Sequence, residues 1–274
     1  MSDAASQEAL RFDLTDRVVV ITGCTGVLGA GYCKAFALRG AKLVMADLAE
    51  REPEKRAAEL ARETGAQVLG MNCDVSNEAS VEALFAAAKS HFGAVHVVMN
   101  NAAATGEHLM KAGDVFSAFE DYPLSVWEKV MQTNLTGVFL VAREGGKALL
   151  ASGGGSMINV SSIYGVVAPD HRVYDGMPFS SFPAYSASKA GVHGLTKWLA
   201  TYWGEKGIRV NTLVPGGVYN GHNEAFVERY ANRTPMGRMA DRDDLIGMVI
   251  FLASDASRYC TGQQFIVDGG LTAW

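Results

Sequence analysis

A tyrosine and a lysine four positions apart have the types and spacing needed for proton transfer. Tyr185 and Lys189 belong to the sequence YSASK, at the start of a long stretch whose apolar residues recur at helical spacing. Residues four apart share one face of a helix. A phenol titrates at about pH 10, and a neighbouring ammonium lowers its pKa by favouring phenolate. Tyr185 is therefore predicted to exchange a proton with a substrate oxygen, although this spacing also arises by chance on surface helices.

A glycine-rich segment, TGCTGVLG, follows an apolar run and leads directly into a helical stretch. Glycines let a backbone turn sharply and approach a pyrophosphate, whose charge is stabilised by free N–H groups and by the positive end of the helix dipole. The position between strand and helix favours this interpretation over an ordinary glycine-rich turn. The residues expected to contact a dinucleotide here are Gly23, Thr25, Gly26, Val27, Leu28 and Gly29.

Asp47 ends the second apolar run, about twenty residues beyond the glycines, where a carboxylate can accept hydrogen bonds from both adenosine ribose hydroxyls. The same carboxylate would repel a 2′-phosphate. Neither Leu48 nor Thr25 supplies the positive charge that such a phosphate needs. The sequence thus predicts NAD rather than NADP. If Asp47 only capped a helix or a loop, the choice of cofactor would stay open.

The elements that position these residues follow a regular rhythm of short apolar runs and longer helical patterns. This alternation predicts an α/β fold, a doubly wound (Rossmann) parallel seven-stranded sheet with helices on both faces, in a single domain over residues 1–274. The predicted strands are Val18–Thr22, Lys42–Asp47, Val68–Asn72, Val95–Asn100, Ser156–Val160, Arg209–Val214 and Gln264–Val267. The predicted helices are Val27–Arg39, Pro53–Thr64, Ser76–His91, Ser125–Leu150, Pro183–Gly204 and Asp241–Ala253.

Three segments stand outside this rhythm. They are an N-terminal extension at residues 1–13 and two long loops, Ala103–Pro123 and Ile163–Pro183. Long loops in a compact domain are often functional. The segment 163–183 is interpreted as an inserted substrate loop.

Composition excludes several classes of function. The net charge of -5 over 274 residues leaves no basic stripe for a nucleic acid, and no apolar stretch is long enough to cross a membrane. The four cysteines are far apart and lack metal-ligand spacing, so no metal site is predicted and reduced thiols are expected. We expect a cytoplasmic protein whose partner is a small polar molecule.

The motifs, taken in chain order, resemble the short-chain dehydrogenase/reductase family from about Leu14 to the C-terminus. Besides TGCTGVLG and YSASK, the chain carries CDV at residues 73–75, NNAA at 100–103, Asn134, NVSS at 159–162, Asn211, PGG at 215–217 and VDGG at 267–270. The resemblance implies hydride transfer between NAD and a secondary alcohol or ketone. In that reaction the nicotinamide cofactor itself accepts or donates the hydride.

The resemblance also implies roles for single residues. Ser162 would hydrogen-bond the substrate oxygen, Lys189 would bind the nicotinamide ribose and lower the pKa of Tyr185, and Asn134 would hold a water that links Lys189 to solvent. On their own, Ser162 and Asn134 would be interpreted as a turn cap and a polar residue within a helix. The remaining residues implied for the cofactor cleft are Asp74, Val75, Asn100, Asn101, Ala102, Pro215, Gly216 and Val218.

Three departures from the family pattern are visible. The glycines fall at 23, 26 and 29, whereas the commonest spacing would place the middle one at 27. NNAA replaces NNAG, so Ala103 must keep a negative φ or be strained. The separation between Ser162 and Tyr185 is about ten residues longer than usual, which places the insertion beside the active site.

The insertion and the segment after PGG are rich in polar and aromatic residues that could line a substrate mouth. They are Tyr164, Asp170, His171, Arg172, Tyr174, Tyr219, Asn220, His222 and Asn223. Many hydrogen-bonding groups favour a hydroxyl-rich substrate, and these segments resemble the family branch that acts on sugar acids and deoxy sugar acids. Arg172 or His222 is the expected carboxylate partner. As single residues, these are equally well explained as solvated loop positions.

Three other functions compete with that of an NAD-linked dehydrogenase. An NADP-linked ketoreductase is disfavoured by Asp47, and a non-catalytic NAD-binding sensor would not need Asn134, Ser162, Tyr185 and Lys189 together. A serine hydrolase is excluded because neither Ser161 nor Ser162 lies in a G-x-S-x-G turn. A homotetramer is expected, with apolar contacts from Phe265, Ile266, Leu271 and Trp274, the last of which could instead anchor the core or reach a neighbouring active site.

Overall fold

A computed structural model describes residues 11–109 and 115–274. Seven parallel strands form one sheet in the order β3-β2-β1-β4-β5-β6-β7. They are β1 Val18–Thr22, β2 Lys42–Asp47, β3 Val68–Asn72, β4 Val97–Asn100, β5 Gly155–Val160, β6 Ile208–Pro215 and β7 Gln264–Val267. The order reverses between β1 and β4, which is the position where ligands bind in open α/β sheets. The predicted doubly wound fold is confirmed.

Helices cover both faces of the sheet. They are α1 Val27–Ala37, α2 Pro53–Thr64, α3 Glu78–Phe92, α4 Gly106–Leu109, α5 Leu124–Met131, α6 Gly137–Ala151, α7 Pro183–Trp203, α8 Glu224–Asn232 and α9 Ile246–Ala253. One buried cluster joins α1, α2 and α9 to the sheet, and a second joins α3, α6 and α7 to its opposite face. Short 3-10 helices lie at Ala49–Arg51, Phe119–Asp121, Ile163–Gly165, His171–Tyr174, Gly204–Lys206, Arg242–Leu245, Asp255–Ser257 and Leu271–Ala273.

The structure departs from the predicted elements in three places. The helix predicted over Ser125–Leu150 is divided by a π-helical turn at Gln132–Thr136. Helix α8 was not predicted, although Asn223 caps it by accepting a hydrogen bond from the backbone N–H of Phe226 at 2.8 Å. Three of its nine residues are charged and the helix is short, so its apolar face gave a weak periodic signal. The first turn of the helix predicted at Asp241 is 3-10 rather than α.

The insertion at 163–183 is packed rather than extended into solvent. Asp170 caps the 3-10 helix His171–Tyr174 by accepting from the N–H of Arg172 at 3.1 Å. Tyr174 and Phe179 both contact the ring of Phe226 on α8, with ring centroids 5.5 Å apart in each pair. The insertion and α8 therefore share one aromatic cluster.

Within residues 11–109 and 115–274, no helix is long and apolar enough to cross a membrane. The same residues contain no group of three His, Cys, Asp or Glu side chains placed to hold a metal ion. All four cysteines are free thiols. Most of the N-terminal extension, residues 1–10, and part of the first long loop, residues 110–114, lie outside the described residues.

Candidate active site

The glycine turn connects β1 to α1 and leaves room at the start of that helix. Gly23 has a φ of +66°, and a Cβ there would lie 2.7 Å from the Cα of Ala102. A Cβ on Gly29 would collide with the carbonyl oxygen of Gly23. Gly26 differs, because its backbone is extended and a Cβ would make only an ordinary 3.5 Å contact. Protein packing therefore requires glycine at 23 and 29, whereas at 26 the absent side chain keeps the space before α1 open.

The start of α1 fits a phosphate group. No side chain caps its N-terminus, and its first turn contains no acidic residue. Free N–H groups and the helix dipole favour an anion at such a position. The unusual glycine spacing thus preserves the cradle, and the residues present fit the pyrophosphate of a dinucleotide.

Asp47 is held against this turn at the end of β2. Its Oδ2 accepts hydrogen bonds from the N–H of Thr25 at 2.9 Å and from the Thr25 hydroxyl at 2.7 Å. Its Oδ1 accepts from the N–H of Leu48 at 2.9 Å. The carboxylate is therefore fixed in place beside the glycine turn, and Thr25 serves as its anchor.

The end of β4 completes the opposite wall of the cleft. The side-chain amide of Asn101 donates to the carbonyl oxygens of Gly23 at 2.9 Å and Thr22 at 3.2 Å. The hydroxyl oxygen of Thr22 accepts from the N–H groups of Asn101 and Ala102. Among the described residues, positive φ outside glycine occurs only at positions 16 and 52. The NNAA sequence is therefore accommodated without strain at Ala103.

Two further predicted cofactor segments lie at the same edge of the sheet. Asp74, after β3, is exposed and accepts from the N–H and the hydroxyl of Ser76 at 2.9 and 2.7 Å, while Val75 is buried. After β6, the N–H of Gly216 donates to Val267 at 2.9 Å, and the N–H of Gly217 donates to the hydroxyl of Tyr230. Pro215 ends β6, and Val218 forms an isolated bridge with Ala240.

Ser162, Tyr185 and Lys189 come together between β5 and α7. The Ser162 hydroxyl lies close enough to the phenol of Tyr185 to favour its ionised form. The Nζ of Lys189 lies 5.7 Å from the centroid of the Tyr185 ring and donates to the carbonyl oxygen of Val160 at 2.9 Å. The four-residue spacing of YSASK on α7 therefore brings the phenol and the amine together, and Ser162, just after β5, adds a hydroxyl beside them.

The protonation of these groups is controlled mainly by burial. Burial lowers the pKa of Lys189 to about 8, because desolvation disfavours its charged form. Burial raises the pKa of Tyr185, and the nearby Ser162 hydroxyl opposes that rise. In the protein by itself, the phenol thus holds its proton. The expected fall of its pKa toward neutrality includes the contribution of an oxidised nicotinamide and stays a prediction.

Asn134 is fully buried within the π-helical turn. Its Oδ1 accepts from the N–H of Ala104 at 2.7 Å, and its Nδ2 donates to the carbonyl oxygen of the same residue at 3.2 Å. Single π-turns are frequent at functional sites. The side chain therefore fixes the segment that follows NNAA, and its predicted water is not tested by these contacts.

A buried histidine behind the active site was not assigned a role from the sequence. The hydroxyl of Ser161 donates to the carbonyl oxygen of Lys189 at 2.8 Å and lies 3.1 Å from Nε2 of His193. Because Ser161 has only one proton to donate, Nε2 of His193 carries the proton toward it. Ser161 is 3% exposed, so its hydroxyl supports α7 and is unavailable as a nucleophile. In the sequence, the sign that His193 lies near Lys189 was their spacing of one helical turn.

A tyrosine pair lies next to these groups at the substrate side. The hydroxyls of Tyr164 and Tyr174 are 2.8 Å apart, which joins the first turn of the insertion to its 3-10 helix His171–Tyr174. Burial raises the pKa of both phenols, so both stay protonated. The ring of His222 stacks on Phe226 with centroids 5.0 Å apart. Tyr164 and His222 are thus part of the wall formed by the insertion and α8.

The remaining predicted rim residues are placed differently. Arg172 binds Asp170 through two bonds of 2.8 Å, and its side chain is 78% exposed. The structure gives Arg172 an acidic partner of its own, and its expected contact with a substrate carboxylate stays a prediction. Asn220 is exposed, and its N–H donates to Nδ1 of His222 at 3.2 Å. Tyr219 is half exposed, and Asn223 is used as the cap of α8.

A small cavity that opens to solvent lies beside Tyr164. It is bounded by the insertion, α8 and the C-terminal residues. Its polar lining residues are Tyr164, Asp170, Tyr230, Arg233 and Trp274. Arg233 and Tyr230 were missed because they belong to, or directly follow, the helix that was not predicted.

Comparisons with known proteins agree with this arrangement. A family model described as enoyl-(acyl carrier protein) reductase matches residues 25–272. D-threitol dehydrogenase of Mycolicibacterium smegmatis is 34% identical, covering 95% of each chain. The 3-alpha-(or 20-beta)-hydroxysteroid dehydrogenase of Mycobacterium tuberculosis is 35% identical, covering 95% of this chain and 91% of its own. A crystal structure of gluconate 5-dehydrogenase from Burkholderia cenocepacia with NADP and tartrate has a TM-score of 0.86 at 30% identity, covering 97% and 99%.

Proposed function

The chain belongs to the short-chain dehydrogenase/reductase family, and from that premise we propose that it is an NAD-dependent oxidoreductase acting on a secondary alcohol or ketone. The observation that carries the proposal is the grouping of three side chains, with the Ser162 hydroxyl beside the Tyr185 phenol and the Lys189 ammonium 5.7 Å from the phenol ring. All three residues lie near the edge of the sheet where the cofactor is proposed to bind. A protein that only sensed the cofactor would not need them.

In this proposal each residue has one task. Ser162 donates a hydrogen bond to the substrate oxygen, and Tyr185 takes its proton during oxidation or returns one during reduction. Lys189 stabilises the developing phenolate, and its desolvation makes that charge more effective. Asn134 contributes a water to the proton path. When bound, the nicotinamide cofactor supplies the hydride acceptor or donor.

The cofactor would lie along the edge already described. The glycine turn and the start of α1 would hold its pyrophosphate, and Asp74, Val75, Asn101 and Ala102 would border its adenosine half. Pro215, Gly216 and Val218 would border its nicotinamide, with Tyr185 and Lys189 on the other side. These placements rest on the open space before α1 and on the positions of the loops after β3, β4 and β6.

We propose NAD as the physiological cofactor because of Asp47. Its carboxylate is fixed beside the glycine turn by Thr25 and Leu48, and a 2′-phosphate at that position would meet a negative charge. An NADP-linked ketoreductase is the runner-up, since the solved gluconate 5-dehydrogenase was crystallised with NADP.

A sugar acid or a related polyol derivative is the proposed substrate class. The wall beside the reacting groups carries the Tyr164 and Tyr174 hydroxyls, the His222 ring and an arginine, which suit a hydroxyl-rich ligand. The names of the threitol and gluconate dehydrogenases support this class. The hydroxysteroid relative represents the competing apolar class.

The test is a substrate panel measured with NAD and separately with NADP. The panel contains aldonic acids, 2-keto-3-deoxy sugar acids, their neutral alditols, free sugars, simple secondary alcohols and a hydroxysteroid. We expect reduced cofactor to form fastest with NAD and a sugar acid. A steroid or a simple alcohol that exceeds every sugar derivative would contradict the substrate class. Cofactor binding without turnover of any member would favour the sensor.

We also propose a homotetramer. Ile266 on the edge strand β7 is 39% exposed and Trp274 is 74% exposed, which leaves apolar surface at the C-terminus for a neighbouring subunit. Light scattering after size-exclusion chromatography would test this, with a mass of four chains expected and a monomer contradicting it.

A further inference from the structure

Arg233 has hydrogen-bonding capacity that the described residues do not use. Its Nε lies 3.3 Å from Oδ2 of Asp170, and neither terminal amino group forms a hydrogen bond to a described residue. The side chain is 45% exposed and lines the cavity beside Tyr164. A guanidinium with Nε occupied still offers donors in a planar fork, which matches the two oxygens of a carboxylate.

Asp170 orients this guanidinium without neutralising it. Both of its oxygens already accept 2.8 Å bonds from Arg172, and its Oδ1 also accepts from the Arg172 N–H. These partners hold the pKa of Asp170 at about 2, so it stays charged and committed to Arg172. Arg172 is thus a support for Asp170, and Asp170 in turn fixes Arg233 at the cavity.

The outer part of the cavity has an excess of positive charge. A second, more open cavity shares Asp170, Val173 and Arg233 with the first and is also lined by Arg172, Arg229 and Asn232. Arg229 donates to the backbone oxygen of Asp175, so its charge is not cancelled by a direct ion pair there. Against the three arginines stand two carboxylates, those of Asp170 and Asp175, and both lie near Arg172. The local excess of cations attracts an anion.

Two tyrosines that line the cavity lie near the segments that carry the reacting groups. Tyr164 is two residues beyond Ser162, and the Tyr185 phenol is close enough to contribute to the raised pKa of Tyr164. Tyr230 also lines the cavity, and the Tyr230 hydroxyl accepts from the N–H of Gly217 in the turn after β6. At its other side, the indole N–H of Trp274 donates to the carbonyl oxygen of Arg233 at 3.2 Å. The cavity that Arg233 lines is therefore bordered by residues attached to the segments after β5 and β6.

We propose that Arg233 binds the carboxylate of the substrate at the end remote from the reacting carbon, and thereby makes the enzyme selective for acids over neutral alcohols. The proposal rests on the proposed dehydrogenase function and adds a specificity residue to it. The carboxylate approaches through the arginine-lined mouth, and Trp274 holds the backbone of Arg233 in place.

The first experiment compares an aldonic acid with the alditol of equal length in wild type, Arg233→Gln and Arg233→Lys. Loss of a bidentate charged contact is expected to raise KM for the acid at least about tenfold, with kcat and the KM for the alditol little changed. Arg233→Lys should restore part of the difference. Arg258→Gln removes the same charge from an exposed site that lines neither cavity, and it is expected to leave both KM values unchanged. Equal effects on acid and alditol, or none, would overturn the assignment.

The second experiment uses tartrate as a probe and needs no turnover. Calorimetric titration of the folded wild type should detect binding that Arg233→Gln weakens at least about tenfold and Arg258→Gln does not. Tartrate should also compete with the alcohol substrate. Binding that is unaffected by Arg233→Gln, or that does not compete, overturns the proposal while leaving the dehydrogenase function intact. Arg233-dependent tartrate binding by a protein that turns over no alcohol supports the anion site and contradicts the proposed function.

Discussion

The carboxylate of Asp47 accepts hydrogen bonds from both the backbone N–H and the hydroxyl of Thr25, at 2.9 and 2.7 Å. This contact joins the end of β2 to the glycine turn between β1 and α1. It fixes a negative charge beside the loop where a dinucleotide would place its adenosine ribose. In the proposed NAD-dependent enzyme, Asp47 would therefore link cofactor choice to the shape of the phosphate cradle.

Asp47→Ser is expected to raise KM for NAD by about tenfold to a hundredfold, because ribose hydroxyls lose a charged acceptor. The preference for NAD over NADP should shrink because the repulsion of the 2′-phosphate disappears. Steady-state kinetics with both cofactors would measure this. Thr25→Val is the matched control, since it removes one bond to Asp47 but keeps its charge, and it should preserve the preference. An unchanged preference in Asp47→Ser would show that the carboxylate does not select the cofactor.

Two glycines of the same turn are expected to respond differently to an added methyl group. Gly26→Ala should fold with nearly unchanged thermal stability, because its Cβ would lie 3.5 Å from the nearest atom, yet bind NAD at least about tenfold more weakly. Gly29→Ala should be destabilised, since its Cβ would collide with the carbonyl oxygen of Gly23. Thermal unfolding and calorimetric titration of both variants provide the comparison. Normal NAD binding by a folded Gly26→Ala would place the pyrophosphate elsewhere.

Burial of Lys189 makes the stability of the cofactor-free protein depend on pH. Its pKa in the folded protein, about 8, lies below its ordinary value of 10.5, so the unfolded chain binds the proton more tightly. Stability from this group is therefore lowest below pH 8 and rises as the pH increases toward 10.5. Relative to Lys189→Met, the free energy of unfolding of the wild type should increase by about 2 kcal/mol between pH 7 and pH 10.

Chemical unfolding at several pH values would measure that difference. Lys197→Met removes an exposed lysine from the same helix and should show no such change with pH. If the free energies of unfolding of the wild type and Lys189→Met change equally with pH over this range, the Lys189 amine keeps its usual affinity for protons.

The sheet could be predicted from the sequence because continuous apolar runs such as VVVIT indicate buried strands. The proposed reacting groups were found through the four-residue spacing of Tyr185 and Lys189, which lie on one helix, α7. The π-turn at Asn134 left no signal, since it changes the hydrogen-bond pattern without breaking the helical spacing of apolar residues. Nothing in the sequence indicated that Asp170 binds the side chain of Arg172, two residues later.

The side of the site formed by α8 was the hardest to predict. Arg233 reaches the cavity only because α8 packs on the insertion through Phe226, Tyr174 and Phe179. Those contacts join segments about fifty residues apart in sequence, and a single sequence gives no periodic pattern that links them. Residues held by such tertiary contacts can be assigned only from the structure.

The central claim is that Tyr185 exchanges the proton that accompanies hydride transfer. Tyr185→Phe should bind NAD within about threefold of wild type, because the phenol hydroxyl lies beside Ser162 rather than at the glycine turn. Its turnover should fall by roughly a hundredfold to ten-thousandfold, as expected for loss of a general acid/base. Tyr32→Phe, which removes a buried hydroxyl without a partner among the described residues, is the control and should keep full activity.

The most direct measurement is the initial rate of NADH formation by wild type, Tyr185→Phe and Tyr32→Phe on the best substrate, together with calorimetric titration of NAD into each. The account predicts that Tyr185→Phe alone loses turnover while all three bind NAD. Turnover by Tyr185→Phe within tenfold of wild type, or simultaneous loss of NAD binding and turnover, would contradict it.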